Sequence, residues 1–270
     1  MKTIKTLFAA MLLCCSSTVF AQATYTTADG TKYEFQKHTF LNLGVGAQYT
    51  LGEAKFSDLL SPNAQLGLGY QFSPVFGARI QANAWQSKGG WSAFRDTKSG
   101  SPYSKTYKYK YVAPGIDLMF NLSNLFAGWN PNRLFNLTAF IGGGANIAFS
   151  NDEANEIAST LKNLDAYQME YVWDGTKVRP YGRAGLEAAF RLSKSVALTV
   201  EGNANILSDK YNSKKADRKL KSDWYFNALV GLKINLGKSF NKILPPPPAP
   251  EPEPEPVVEP EPVVEPAPVV

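Results

Sequence analysis

The sequence predicts an all-β chain: an eight-stranded antiparallel up-and-down transmembrane β-barrel with a disordered Pro-rich C-terminal tail. Three observations predict it. Apolar and polar residues alternate with period two through eight segments of the middle of the chain, the pattern of strands with two unlike faces. The connections between those segments alternate between short and long. The pattern stops at Pro245, where a run of proline and glutamate begins. A mean hydropathy of -0.22 does not argue against membrane insertion, because such averages detect apolar helices, and barrels escape them. The composition excludes a coiled coil, a collagen-like chain and a disulfide scaffold.

Residues 1–21 read as a secretory signal peptide. Lys2 and Lys5 give the basic start, Leu7 to Leu13 the apolar stretch, and Val19-Phe20-Ala21 the cleavage region. The stretch is too short for a stable membrane span. Both cysteines, Cys14 and Cys15, lie inside it. Bulky Leu13 stands where a lipoprotein signal carries a small residue, which argues against lipidation. After cleavage the chain has no thiol and no disulfide.

Residues 22–38 form an N-terminal segment, and residues 39–244 the barrel. In the first strand Leu41, Leu43, Val45, Ala47 and Tyr49 share one face, and Asn42, Gly44, Gly46 and Gln48 the other. The second sets Ala64, Leu66, Leu68, Tyr70 and Phe72 against Gln65, Gly67, Gly69 and Gln71. The third sets Phe76, Ala78, Ile80, Ala82 and Ala84 against Gly77, Arg79, Gln81 and Asn83. The fourth runs from Val112 to Asn121, with Asp117 on its polar face. The fifth, Leu137 to Phe149, carries Gly142 and Gly144 on that face. The sixth, Val178 to Leu192, carries Arg183 and Glu187, and the seventh, Val196 to Ile206, carries Glu201. The eighth, Trp224 to Leu236, carries Lys233. Each is near the roughly 9–11 residues that a tilted membrane strand needs. Pro114 and Pro180 lack a ladder donor, and a closed barrel has no free edge for them, so bulges or strand margins are expected there.

Short links at Ser73-Pro74-Val75 and Ser193-Lys194-Ser195, with an intermediate one at 123–133, contrast with long ones at 50–63, 86–106, 150–177 and 208–222. Short turns at one end and long loops at the other are the pattern of an outer-membrane barrel. An even strand number puts both chain ends on the periplasmic side. A soluble lipocalin-type barrel is the competing architecture. Against it, the second face is Gly, Asn and Gln with few charges, unlike a soluble surface. Aromatics also gather near strand ends, at Tyr49, Tyr70, Phe72, Phe76, Phe120, Phe149, Phe190, Trp224 and Phe226, as in the girdles of membrane barrels.

Six charges fall on the polar, lumenal face: Arg79, Arg183 and Lys233 against Asp117, Glu187 and Glu201. The lumen of eight strands is just wide enough for side chains to fill, and buried charges must be paired. A lumenal salt-bridge network is therefore expected. A turn centred on Lys194 would set Glu187 opposite Glu201, a destabilising like-charge pair unless a cation bridges it.

Candidate ligand sites lie in the loops. The fourth long loop is basic, with Lys210, Lys214, Lys215, Arg218, Lys219 and Lys221, and suits an anionic headgroup or another anionic ligand; a plain solvated loop is the alternative. Ala154, Ile157, Ala158, Leu161 and Leu164 stand at helical spacing and predict a short helix over residues 152–164. The one histidine, His38, lies away from the long loops, so no catalytic site, metal site or cofactor is expected. Gly142-Gly143-Gly144 is strand interior, not a phosphate loop, and nucleic acid is not an expected partner.

From Pro245 to Val270 the chain carries six Glu and no Lys. Proline at this density favours an extended polyproline II spacer of up to about 80 Å at roughly 3.1 Å per residue. Without leader and spacer, residues 22–244 carry about +9 of formal charge.

The signal peptide, eight strands, lumenal charges and acidic Pro-rich linker together resemble the OmpA family of outer-membrane proteins. The stretch Pro114-Gly115-Ile116-Asp117-Leu118-Met119-Phe120-Asn121-Leu122, followed by Asn130-Pro131-Asn132-Arg133, is similar to the Bacteroidetes members. The resemblance implies contact with outer-membrane lipid and lipopolysaccharide. It also implies a C-terminal peptidoglycan-binding domain after the linker, for which residues 1–270 supply no positions. Three roles are expected from these readings: a structural barrel that supports envelope integrity with its tail directed to the cell wall, a surface-loop adhesin or receptor, and a narrow low-conductance channel.

Overall fold

A computed structural model describes residues 23–95, 102–161, 169–215 and 222–245. The signal-peptide reading and all of the Pro-rich tail after Pro245 lie outside those residues. At the N-terminus come two short strands, β1 (Thr24–Thr26) and β2 (Lys32–Phe35). Eight longer strands follow: β3 (His38–Thr50), β4 (Leu60–Gln71), β5 (Phe76–Arg95), β6 (Pro102–Asn121), β7 (Phe135–Phe149), β8 (Lys177–Arg191), β9 (Val196–Ser208) and β10 (Ser222–Leu236). Each pairs antiparallel with the next, and β10 returns to β3 from Tyr225↔Thr50 to Leu236↔Thr39, which closes the barrel. A last strand, β11 (Phe240–Ile243), pairs with β2, and β1, β2 and β11 make a separate three-stranded sheet. The barrel proper thus runs from His38 to Leu236, and the expected range of 39–244 is too long at its C-terminal end. Gly237, at φ +105°, lets the chain turn out of the barrel ladder before β11.

Closure leaves no free strand edge along the stretch where all eight strands pair. The apolar phase of each strand points outward: Val45 and Ile80 are 65% exposed, and Ile116 58%. The polar phase is buried, with Asn42, Gln65, Arg79, Gln81, Asp117, Arg183 and Asn227 all lumenal. This is the inverse of a soluble barrel, and no helix of the described residues is long and apolar enough to cross a membrane. Two bands of rings flank the apolar wall. At the short-turn end Tyr70, Phe72, Phe76 and Phe120 form a continuous row with centroids 5.0–5.5 Å apart. At the long-loop end Phe56, Tyr49, Phe226 and Trp224 form another.

Three expectations about connections change. Residues 86–95 and 102–106, expected as loop, are strand. β5 and β6 stay paired out to Arg95↔Pro102, whereas the ladder of β5 with β4 ends at Trp85. The hairpin therefore projects beyond its neighbours. Its cause is a second period-two run, Tyr107, Tyr109 and Tyr111 buried against Lys108 and Lys110 exposed. The predicted helix forms as α2 (Asp152–Thr160), after α1 (Leu122–Ala127) in the intermediate link. It is shorter than 152–164; Ala154 and Ile157 are its buried residues, and Leu164 lies outside the described residues. Pro180 sits where the β8–β9 ladder begins, a strand margin. Pro114 does not need a bulge: the β6–β7 register is unchanged on both sides, and the ladder omits Ala113 and Pro114. The Ala113 carbonyl freed there accepts from the Tyr181 hydroxyl at 3.2 Å.

Lumenal glycines make room for large neighbours. A Cβ on Gly67 would stand 2.8 Å from Cδ of Arg79, and one on Gly69 would enter the Phe40 ring. Gly202 has open space around it. Gly69→Val should therefore lower stability by about 1–3 kcal/mol through overpacking, while Gly202→Ala should stay within about 0.5 kcal/mol. Urea titrations of the barrel refolded into lipid vesicles check both.

Candidate functional site

Five strands, β5, β6, β8, β9 and β10, bring the six lumenal charges together. In the register of β8 with β9, Glu187 stands directly opposite Glu201, and in that of β5 with β6, Arg79 stands opposite Asp117. Arg79 bridges all three carboxylates. Its Nε and Nη2 donate to Asp117 Oδ2 at 3.0 and 2.8 Å, and its Nη1 to Glu201 Oε2 at 2.9 Å. The same Nη1 lies 3.6 Å from Glu187 Oε2. Arg183 donates from Nη2 to Glu201 Oε1 at 2.8 Å and holds its Nε 3.5 Å from Asp117 Oδ1. Lys233 donates to Glu187 Oε1 at 2.9 Å. Three cations thus meet three carboxylates, and the facing glutamates have Arg79 between them.

Neutral amides complete the shell. Asn42 donates to Glu187 Oε2 at 2.8 Å, Gln65 to both oxygens of Glu201 at 3.1 Å, and Asn203 to Glu201 at 2.9 Å. Charge-assisted hydrogen bonds of this kind are the stronger class. Aromatic faces close the network toward the short-turn end. Both guanidinium carbons lie 5.0 Å from the Phe140 ring centre, and the Lys233 ammonium lies 4.3 Å from that of Phe40. Phe40, Met119 and Phe140 form one buried cluster there. The space left beside Asn42, Gln65 and Glu201 is a cavity of about 10 Å³, at the threshold for a single water.

The long-loop mouth is filled as well, by residues that strand periodicity did not single out. Tyr211 enters the mouth and meets Tyr109 at 5.1 Å and Tyr225 at 5.7 Å. Its hydroxyl bonds Ser87 Oγ at 2.7 Å, and its carbonyl accepts from Trp173 Nε1 at 3.1 Å. Burial pushes the Tyr211 phenol above its ordinary range, so it stays a neutral donor. Asp223 Oδ2 holds the backbone N–H of Tyr211 and Asn212 at 2.8 and 2.9 Å, and Tyr107 donates to the Asn212 carbonyl. Asn151 ties Trp173 and Ser213 together. The Tyr-Lys alternation at 107–111 is the sequence signal for half of this plug; Trp173 and Tyr211, on irregular segments, carry none.

The basic loop is less available than its composition implied. Lys214 is buried and pairs with Glu53, Lys215 pairs with Glu170 at 2.6 Å, and the Lys210 ammonium lies 5.5 Å from the Tyr171 ring centre. Intrachain carboxylates thus take up two of the expected ligand-binding cations. Arg218, Lys219 and Lys221 lie outside the described residues. Among the described residues no group of three or more His, Cys, Asp or Glu could hold a metal ion.

The chain is similar to two proteins of Porphyromonas gingivalis (strain ATCC BAA-308 / W83). It is 29% identical to Outer membrane protein 40 over 245 residues, which covers 87% of this chain and 58% of that protein. It is 29% identical to Outer membrane protein 41 over 216 residues, covering 75% and 48%. The chain spans about half the length of these curated relatives. Among solved structures it is similar to Neisserial surface protein A, with 6% identity and a TM-score of 0.46 over 74% of this chain and 98% of that one. It is also similar to the N-terminal β-barrel domain of Pseudomonas aeruginosa OprF, with 7% identity and a TM-score of 0.39 over 74% and 100%. No family model matches.

Removing one partner of a buried ion cluster leaves the others unpaired, which destabilises by about 3–5 kcal/mol. Arg79→Met should show that loss in unfolding titrations. Lys108→Ala, which breaks a surface pair with Glu153, should change stability by less than about 1 kcal/mol.

Proposed function

We propose that this chain, a closed eight-stranded barrel similar to outer membrane proteins 40 and 41 of Porphyromonas gingivalis, is an OmpA-like outer-membrane barrel that acts as a structural element of the cell envelope, neither an enzyme nor an open pore. The observation that carries this reading is the lumen. A paired charge network, the Phe40–Met119–Phe140 cluster and the tyrosine plug occupy it in series, and the space beside the network is the 10 Å³ cavity. What such a barrel offers is its lipid-facing wall and its two ends. In this reading residues 1–21 are removed on export, the short-turn end faces the periplasm, and residues 245–270 extend from it toward the cell wall. Peptidoglycan attachment belongs to the same proposal and is supported only by the resemblance and by the position of the tail. Loss of the protein should sensitise cells to detergent and bile salts, and re-expression of the full chain should restore resistance. Unchanged sensitivity would remove the structural role.

A second reading, a surface-ligand receptor, has one observation of its own: the extended β5–β6 ladder carries exposed Lys108 beyond the neighbouring strands and exposed Lys110 at the end of the β6–β7 ladder. Reversing both charges should leave envelope resistance intact and abolish any adhesion the protein confers. The channel reading is disfavoured by the filled lumen. Purified barrel in planar bilayers should give no unitary current at neutral pH, and stable conductance steps would reinstate that reading.

A further inference from the structure

The short-turn end holds a feature that shares only Lys233 with the charge network. A cavity of about 170 Å³ opens there, between the turn at 193–195, the link around α1 and the β1–β2–β11 sheet. Four permanent cations line it, Arg133, Arg191, Lys194 and Lys233, and no Asp or Glu does. Only Lys233 has an anionic partner, Glu187. Arg133 donates to Asn124 Oδ1 at 2.7 Å and to the carbonyls of Ala127 and Gly128 at 3.1 and 2.8 Å. Arg191 donates to the carbonyls of Pro131 and Asn132. These neutral acceptors fix both guanidinium groups in place and leave their charges uncompensated. Among the described residues no carboxylate lies within ion-pair distance of Arg133, Arg191 or Lys194. Fixed, uncompensated cations around a concave space form an anion site.

The apolar part of the wall narrows the chemistry. Trp129 and Phe35 meet edge to face at 5.8 Å, and both line the cavity. Aromatic walls are what docks proline rings in extended peptides. A cavity of on the order of 150 Å³ admits a benzene ring. This one therefore takes a proline ring and a neighbouring carboxylate, not a folded domain. We propose that the cavity binds the carboxylates of an acidic, proline-containing peptide segment. Such a segment lies in this chain: Glu251-Pro252-Glu253-Pro254-Glu255-Pro256 follows Pro245 closely, and β11, which leads to Pro245, borders the cavity through Phe240. A tethered segment is present at an effective concentration on the order of millimolar. The proposed occupant is this tethered segment.

The test uses a fluorescently labelled Glu-Pro-Glu-Pro-Glu-Pro peptide and anisotropy in detergent micelles. Two proteins are compared: the full chain, and the full chain with Glu251, Glu253, Glu255, Glu259, Glu261 and Glu265 each changed to Gln. The Gln variant should bind the peptide saturably, and more weakly as salt rises. Lys194→Glu in that background, on an exposed turn, should weaken binding at least tenfold; Trp129→Leu should weaken it as well. If the chain's own segment is the occupant, the unchanged chain binds at least tenfold more weakly than the Gln variant. Equal binding by the two proteins overturns the assignment to the chain's own segment. Absence of saturable binding to the Gln variant overturns the proposal, as does binding that neither Lys194→Glu nor Trp129→Leu alters.

Discussion

Eight strands enclose an interior that side chains must fill, and here five of those side chains are ionisable and almost wholly buried: Arg79, Asp117, Arg183, Glu187 and Glu201. An ion taken out of water carries a penalty of several kcal/mol, recovered only when geometry is good and the remaining lone pairs are bonded. Every strand that contributes a charge must therefore hold its register against its neighbours. A slip of one residue in β8 or β9 would put Glu187 or Glu201 into the lipid-facing wall. The network thus fixes the vertical alignment of β5, β6, β8, β9 and β10 as firmly as the backbone ladders do.

The rest of the interior follows from that demand. Phe40 and Phe140 lie flat against the cations and separate the network from the short-turn mouth. Gly67 supplies the space that the Arg79 chain crosses, and Gly69 the space for the Phe40 ring. On the other side Gln65 and Asn203 bond Glu201, and beneath the tyrosine plug Asn63 and Asn83 bond the Tyr111 hydroxyl. A filled lumen moves function to the wall and the ends, which is why the uncompensated cations at the short-turn end stand out against a lumenal network of three cations and three carboxylates.

Much of this was legible in the amino-acid sequence, because lipid imposes a strict rule on barrel strands. Alternation around Val45, Ile80 and Val230 marks the wall, and the lone charges on the opposite phase mark the lumen. The short turn at Ser193-Lys194-Ser195 was enough to set Glu187 against Glu201. What escaped lies where that rule does not operate. The β5–β6 extension alternates too, but Tyr107 and Tyr109 are buried by folded loop segments instead of facing lipid, so the reach 86–106 read as a long loop. Trp173 and Tyr211 reach the plug from irregular segments without a period. β1, β2 and β11 are three or four residues each, too short for an alternation to register. Lys214 and Lys215 looked available because their partners, Glu53 and Glu170, are distant in sequence.

The central claim is that the lumenal charges act as one coupled unit. A double-mutant cycle between Arg79 and Asp117, with Arg79→Met, Asp117→Leu and the double substitution measured by urea unfolding in lipid vesicles, tests it most directly. The account predicts a coupling energy of at least about 1 kcal/mol, with the double variant more stable than the sum of the single losses implies. Additive losses, with no coupling beyond about 0.5 kcal/mol, would contradict it.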